Sequence, residues 1–222
     1  MGIFSKIFSK EACALCGTEA GVLSRTKLKD GNYVCSNCTS QCSAYFQAVR
    51  YDLEEFKKHL EHMERENELY EKEFATLPNE NKESCIRNFS TGIVFADDIG
   101  MFEIINSKTK LKKKKELFRY DQIWDFKMYS KPAPEGSSHK YAETGVKIKL
   151  LSKSDNDPVY VIAGEEINNC RHPYIFDELE VWCASSVDNL EGGLVRKHLE
   201  RILGLALETS ISIQYPNTER TT

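Results

Sequence analysis

Nothing in the 222 residues approaches 18 consecutive apolar side chains, so no segment is built to cross a bilayer as a helix. Also absent are G-x-S-x-G, H-E-x-x-H, the phosphate-cradling P-loop and a glycine-rich dinucleotide turn. The five histidines are spread out, and no Ser/His/Asp or Cys/His set has a local signature. The expectation is a protein that is not an enzyme. Charge of one sign is missing as well. The chain has 30 Lys and Arg against 34 Asp and Glu, a net charge of −4, which argues against bulk nucleic-acid binding. With 41% hydrophobic and 29% charged residues, collagen-like, mucin-like and wholly disordered chains are excluded. The length suits a small module beside a medium-sized domain. The opening MGIFSKIFSK is too short and too interrupted by lysine for a secretory signal, and it has Lys6 where a myristoylation signal wants Ser or Thr. Residues 1–10 and 212–222 read as flexible tails. The expected location is cytoplasmic, where thiols stay reduced and eight cysteines need a use other than disulfides.

Five of those cysteines fall within residues 11–42, the first module. Cys13-Ala14-Leu15-Cys16-Gly17 and Cys35-Ser36-Asn37-Cys38 are two C-x-x-C pairs with eighteen residues between them, a spacing that suits a tetrathiolate zinc site. Two intervening residues let a tight turn aim both sulfurs at one point, and tetrahedral Zn2+ needs four such sulfurs at about 2.3 Å. Gly17 can take the left-handed conformation that such a turn requires. Asp30-Gly31, set between Thr26-Lys27-Leu28 and Tyr33-Val34, predicts a hairpin that returns the chain to the first pair. Cys35 and Cys38 are expected around the first turn of a long helix, where the dipole favours thiolates. The arrangement is zinc-ribbon- or treble-clef-like, and the metal is structural, because four thiolates leave no open position. Cys42, four residues past Cys38, reads either as a replacement ligand or as a half-buried thiol. Cys85, Cys170 and Cys183 read as small hydrophobes, and Cys170, His172 and Cys183 are too loosely spaced for a second site. Arg25, Lys27 and Lys29 balance Glu11, Glu19 and Asp30, so the module lacks the basic excess that nucleic acid needs.

Residues 43–76 read as one long amphipathic helix without glycine or proline. Phe46, Val49, Leu53, Phe56, Leu60, Met63, Asn67, Tyr70 and Phe74 recur at alternating spacings of three and four, a heptad pattern. The 46–74 stripe either pairs two chains, with Asn67 fixing the register, or packs on the same chain. His59 and His62 fall off the stripe and are expected in solvent. Residues 77–83 then form a linker.

From Ser84 to residue 211 the chain reads as β-rich. Strands are expected at Asn88–Ala96 and Ile99–Asn106, at Glu116–Tyr129 with Trp124, Phe126 and Met128 alternating, at Gly145–Leu151 and at Pro158–Ala163. Residues Glu165–Asn189 read as a partly helical insertion, Ser130–Glu143 as a mobile loop, and Leu190–Glu208 as an amphipathic helix. The fold class is α+β, with an antiparallel barrel or bent sheet closed by that helix. Lys108, Lys110, Lys112, Lys113, Lys114 and Lys115 form the basic run of the chain. It reads either as a solvated turn or as a surface for anionic lipid, which would add attachment at the inner membrane face.

The order of strands, the Phe118-Arg119-Tyr120-Asp121-Gln122-Ile123 stretch and the terminal helix resemble bacterial pleckstrin-homology-like domains over residues 84–210. The N-terminal forty residues, with CALCG, KLKDG and CSNC, resemble an uncharacterised bacterial four-cysteine domain family. The first resemblance implies a scaffold for protein partners or lipid headgroups. The second carries no activity to transfer. Together with the cysteines, they imply a zinc-binding adaptor or regulatory protein, with a peripheral membrane protein as the alternative.

Overall fold

A computed structural model describes residues 10–87, 91–138, 141–151, 161–162, 165–166, 172, 174, 178–184 and 190–204. Of the tails expected at 1–10 and 212–222, residues 1–9 and 212–222 lie outside the described residues, as do Cys170 and the side chain of Cys183.

The N-terminal module starts with two short strands, β1 (Glu11–Ala12) and β2 (Glu19–Ala20), joined by a tight turn in which Gly17 takes φ 72°. A hairpin follows: β3 (Arg25–Lys27) pairs with β4 (Tyr33–Cys35) in the register Arg25 with Cys35 and Lys27 with Tyr33. Gly31, at φ 90°, supplies the left-handed residue of its turn, as the Asp-Gly pair predicts. Helix α1 (Ser36–Thr39) is a single turn.

The long helix begins later than residue 43. Residues 48–50 form a 3-10 turn, and α2 runs Leu53–Leu69 before a π-helical turn at Tyr70–Phe74. Its start is fixed by Asp52, whose carboxylate accepts the Glu55 N–H (2.8 Å) while Glu55 reaches back to the Asp52 N–H (3.0 Å). Asp30 of the hairpin turn accepts the Leu53 N–H (2.9 Å), a second anchor. Most of the apolar stripe is covered by its own chain, although Val49 is 60% exposed. Leu53, Phe56 and Leu60 join the cysteine module's core, and Leu69, Tyr70 and Phe74 pack with Val94, Ala96 and Leu117. Asn67 accepts the Lys115 N–H (2.9 Å). The module's core therefore extends past residue 42 to Phe46, Phe56 and Leu60. His59 and His62 are not in solvent: His59 is fully buried and stacked on Phe46 (3.8 Å), and the His62 side chain is only 15% exposed.

The C-terminal part contains two larger antiparallel sheets and a separate two-stranded one, and among the described residues no barrel closes. One sheet is β5 (Glu83–Arg87), β6 (Thr91–Ala96), β7 (Met101–Ile105) and β8 (Phe118–Arg119), in that order. The 3-10 turn Asp97–Ile99 and Gly100 at φ 63° link β6 to β7. A single-turn helix, α3 (Ser107–Lys110), follows β7. The other sheet has β9 (Ile123–Pro132) and β10 (Tyr141–Leu150); short β11 (Val161–Ile162) and β12 (Glu165–Glu166) pair with each other, and β13 (Leu179–Ala184) flanks β10. Helix α4 (Leu190–Ile202) closes the core with Val195 and Leu199, against Phe95, Phe102, Ile148 and Val181.

Three sequence expectations need correction here. Leu179 and Val181 are fully buried in β13, so this part of the expected insertion is a strand rather than helix. The expected 130–143 loop is shorter, because Ser130 still pairs with Thr144 and Lys131 with Glu143. A register shift at Lys149/Leu150 turns Ile123 inward and leaves Trp124 exposed, opposite to the simple alternation. Phe126 and Met128 keep the face of Ile148 and Val146, and Met128 is still 37% exposed. No described helix is long and apolar enough to cross a membrane.

Candidate metal centre

The two C-x-x-C pairs meet. Cys13 and Cys16 sit on the turn after β1, held by Cys13 N–H to Thr18 O and Gly17 N–H to Cys13 O (both 2.9 Å). Cys35 ends β4 and Cys38 lies in α1, so the second pair is carried by this short turn rather than by the long helix. Ala14 N–H donates to Tyr33 O (2.8 Å) and docks the first turn on the hairpin. One ligand atom from each of the four cysteines lies within 4.8 Å of the others. Cys13 Sγ is 3.8 Å from Cys38 Sγ, and Cys16 Sγ is 3.6 Å from Cys35 Sγ.

Those separations decide between two chemistries. A disulfide needs sulfurs about 2.0 Å apart. A tetrahedron with metal–sulfur bonds of about 2.3 Å has edges of about 3.8 Å, and the observed spacings match it. All four thiols are free, three are buried and Cys16 is exposed. The Thr18 hydroxyl and amide, with Cys13 and Cys35 beyond them, bring the Cys16 thiol down to about 6. Burial pushes Cys38 up, so its thiolate needs a cation beside it. Cys42 stays apart: its Sγ faces the Cys38 carbonyl at 3.9 Å, and burial pushes its thiol up to about 12.

The lysine run lies against this module. Lys112 Nζ donates to Thr39 O (3.1 Å), Lys113 N–H to Ser40 O (3.0 Å) and Lys113 Nζ to Asn37. Lys114 pairs with Glu64 of α2, and Lys115 Nζ with Glu103 (2.7 Å). The run is thus neither a freely solvated turn nor an open basic patch from Lys112 onward. Sequence spacing alone could not reveal this, because its partners stand tens of residues away.

Two other sets of ligand-type atoms converge among the described residues: His62, Glu116 and His172, and Glu83, Cys85 and His198. In the second, His198 Nε2 already has Glu83 as partner at 2.8 Å. The first was out of reach of spacing rules, since its members come from three separate segments.

No curated protein and no solved structure matches the chain. Residues 11–59 are similar to a family described as Domain of unknown function (DUF4428), and the match ends within α2, one residue before Leu60, the last α2 side chain packed on the module's core.

Proposed function

We propose that the chain is a non-catalytic zinc-binding adaptor. A tetrathiolate Zn2+ head is rigidly joined through α2 to a domain of pleckstrin-homology-like character that holds a protein partner. The observation that carries this is the convergence of Cys13, Cys16, Cys35 and Cys38 at tetrahedral spacing, because four thiolates fill the shell and leave no position for a reacting water. Metal binding then supplies much of the module's folding free energy. With the other convergent set disabled by His62→Gln and His172→Gln, X-ray absorption at the zinc edge of the purified chain should find four sulfur neighbours at about 2.3 Å. A shell with a water oxygen in place of one sulfur would leave an open, catalytic type of site and sink this reading.

The adaptor role draws support from a groove of about 750 Å³ between the 44–47 link and the two sheets. Tyr129, Glu143, Glu178 and Glu180 face it on one side, and Lys108 and Lys110 on the other. Such a mixed wall of aromatic and charged groups suits a peptide segment rather than a small metabolite. Capture from the source cell with the intact chain as bait should retain a protein that Lys108→Glu bait retains poorly. Identical captures from both baits would argue against this groove. The membrane alternative draws less support, since Lys112 to Lys115 spend their ammonium groups within the chain.

A further inference from the structure

Among the described residues, four buried side-chain atoms have no hydrogen-bond partner: His59 Nδ1, His62 Nε2, Glu116 Oε1 and His172 Nε2. Burying one such group unpaired costs about 1–3 kcal/mol; His172 Nε2 and Glu116 Oε1 face each other at 3.3 Å without a hydrogen bond, and four such atoms in one neighbourhood call for an explanation. The last three belong to residues whose ligand atoms lie within 4.8 Å of one another. His62 projects from the middle of α2. Glu116 precedes β8, its other oxygen fixed by the Ser43 hydroxyl (2.5 Å). His172 is held by its own N–H to Leu151 O (2.6 Å). The side chains of His172 and Glu116 are only 2% and 7% exposed.

We propose that His62, His172 and Glu116 hold a second metal ion, a divalent first-row transition metal of the zinc class, at the seam between α2 and the strand-built part. Two imidazole nitrogens and one carboxylate suit Zn2+ and its neighbours and do not suit Ca2+ or Mg2+, which take oxygen shells. With bonds of about 2.1 Å, tetrahedral donors stand about 3.4 Å apart. His172 Nε2 and Glu116 Oε1 are already 3.3 Å apart. Glu66, one turn along α2, sets a second carboxylate 4.0 Å from His62 Nε2 and is on hand as a fourth donor. Ligation through His172 Nε2 puts the ring proton on Nδ1, which releases a contact of 3.4 Å from the Tyr174 N–H, a long bond whose loss costs little.

Cobalt separates the two centres, since only the cysteine site gives sulfur-to-cobalt charge transfer. The full chain, freed of metal and reloaded with Co2+, should bind two ions. Cys13→Ser with Cys16→Ser should abolish the charge-transfer absorption and leave one ion. His62→Gln with His172→Gln should also leave one, with that absorption intact. Where the histidine variants lose their circular dichroism, Glu116→Gln decides, with the second ion's affinity reduced at least about tenfold. One cobalt per wild-type chain would overturn the proposal and leave His172 and Glu116 as a buried ion pair. Two ions with unchanged affinity in Glu116→Gln would overturn it equally. Neither result bears on the four cysteines.

Discussion

A methyl group added at Gly145 would sit 2.3 Å from the Val181 carbonyl oxygen and 2.7 Å from the Tyr129 ring. The carbonyl belongs to β13 and cannot swing aside without breaking the ladder, and the ring is tied by its hydroxyl to Glu143 (2.8 Å). Glycine within a strand pattern often marks such a close approach. Gly145→Ala should therefore lower stability by about 2–3 kcal/mol, within the range of overpacking effects. Urea denaturation followed by tyrosine fluorescence measures it, and an unchanged midpoint would mean the neighbouring strands give way more easily than their spacing implies. At this same scale the sequence was informative about sulfur and less so about histidine. The C-x-x-C spacing is a local rule and located Cys13, Cys16, Cys35 and Cys38 without knowledge of the fold. His59 and His62 were placed in solvent because helical periodicity records only the face of a helix. Their burial comes from Phe46, Glu116 and His172, which reach α2 from other segments.

Elements whose cause is local were legible, and those shaped by distant contacts were not. The Asp30-Gly31 hairpin and the left-handed Gly17 turn follow from residues within a few positions. The start of α2 does not, because Phe46 and Val49 continue the heptad spacing although the chain there forms a 3-10 turn. The Asp52/Glu55 pair, visible as D-x-x-E, was the local sign of the true start. Strand β13 was hidden for the converse reason: its short Leu179/Val181 alternation becomes decisive only once β10 lies beside it. Helix α4 illustrates a tertiary clamp. Arg201, in its last turn, binds Asp97 at 2.7 Å and holds that carboxyl below the usual range, helped by the Tyr120 hydroxyl. A depressed folded-state pKa means the contribution is complete above the ordinary aspartate value of about 4 and is lost as pH falls below it. Both side chains are half exposed, so it amounts to less than about 1 kcal/mol. Arg201→Ala should lower the melting temperature slightly at pH 7, with the gap closing as the pH falls below the ordinary aspartate value. A gap that persists in acid would assign the effect to packing rather than charge.

Across the whole molecule α2 spans two cores. Its first half completes the cysteine module through Phe56, and its end completes the sheet side through Phe74. The lysine run crosses the same divide: Lys112 and Lys113 reach the 37–40 backbone and side chains, whereas Lys114 and Lys115 reach Glu64 and Asn67 of α2. Loss of one thiolate removes a metal whose binding is worth about 10 kcal/mol or more in small modules, enough to unfold residues 11–42. The sheet core of Ile93, Phe95, Phe102 and Ile148 uses none of those residues. In Cys16→Ser, hydrogen exchange should therefore accelerate across 11–42 and at Lys113, whose N–H is held by Ser40 O. It should slow again by Lys115, where Asn67 still holds the backbone, and stay slow in β6 and β7. Because the histidines remain, any ion at His62, Glu116 and His172 stays in place and keeps the middle of α2 anchored. Exchange that rises together in the module and in Phe95 and Phe102 would make the chain one cooperative unit, with the metal supporting the sheets as directly as it supports the head.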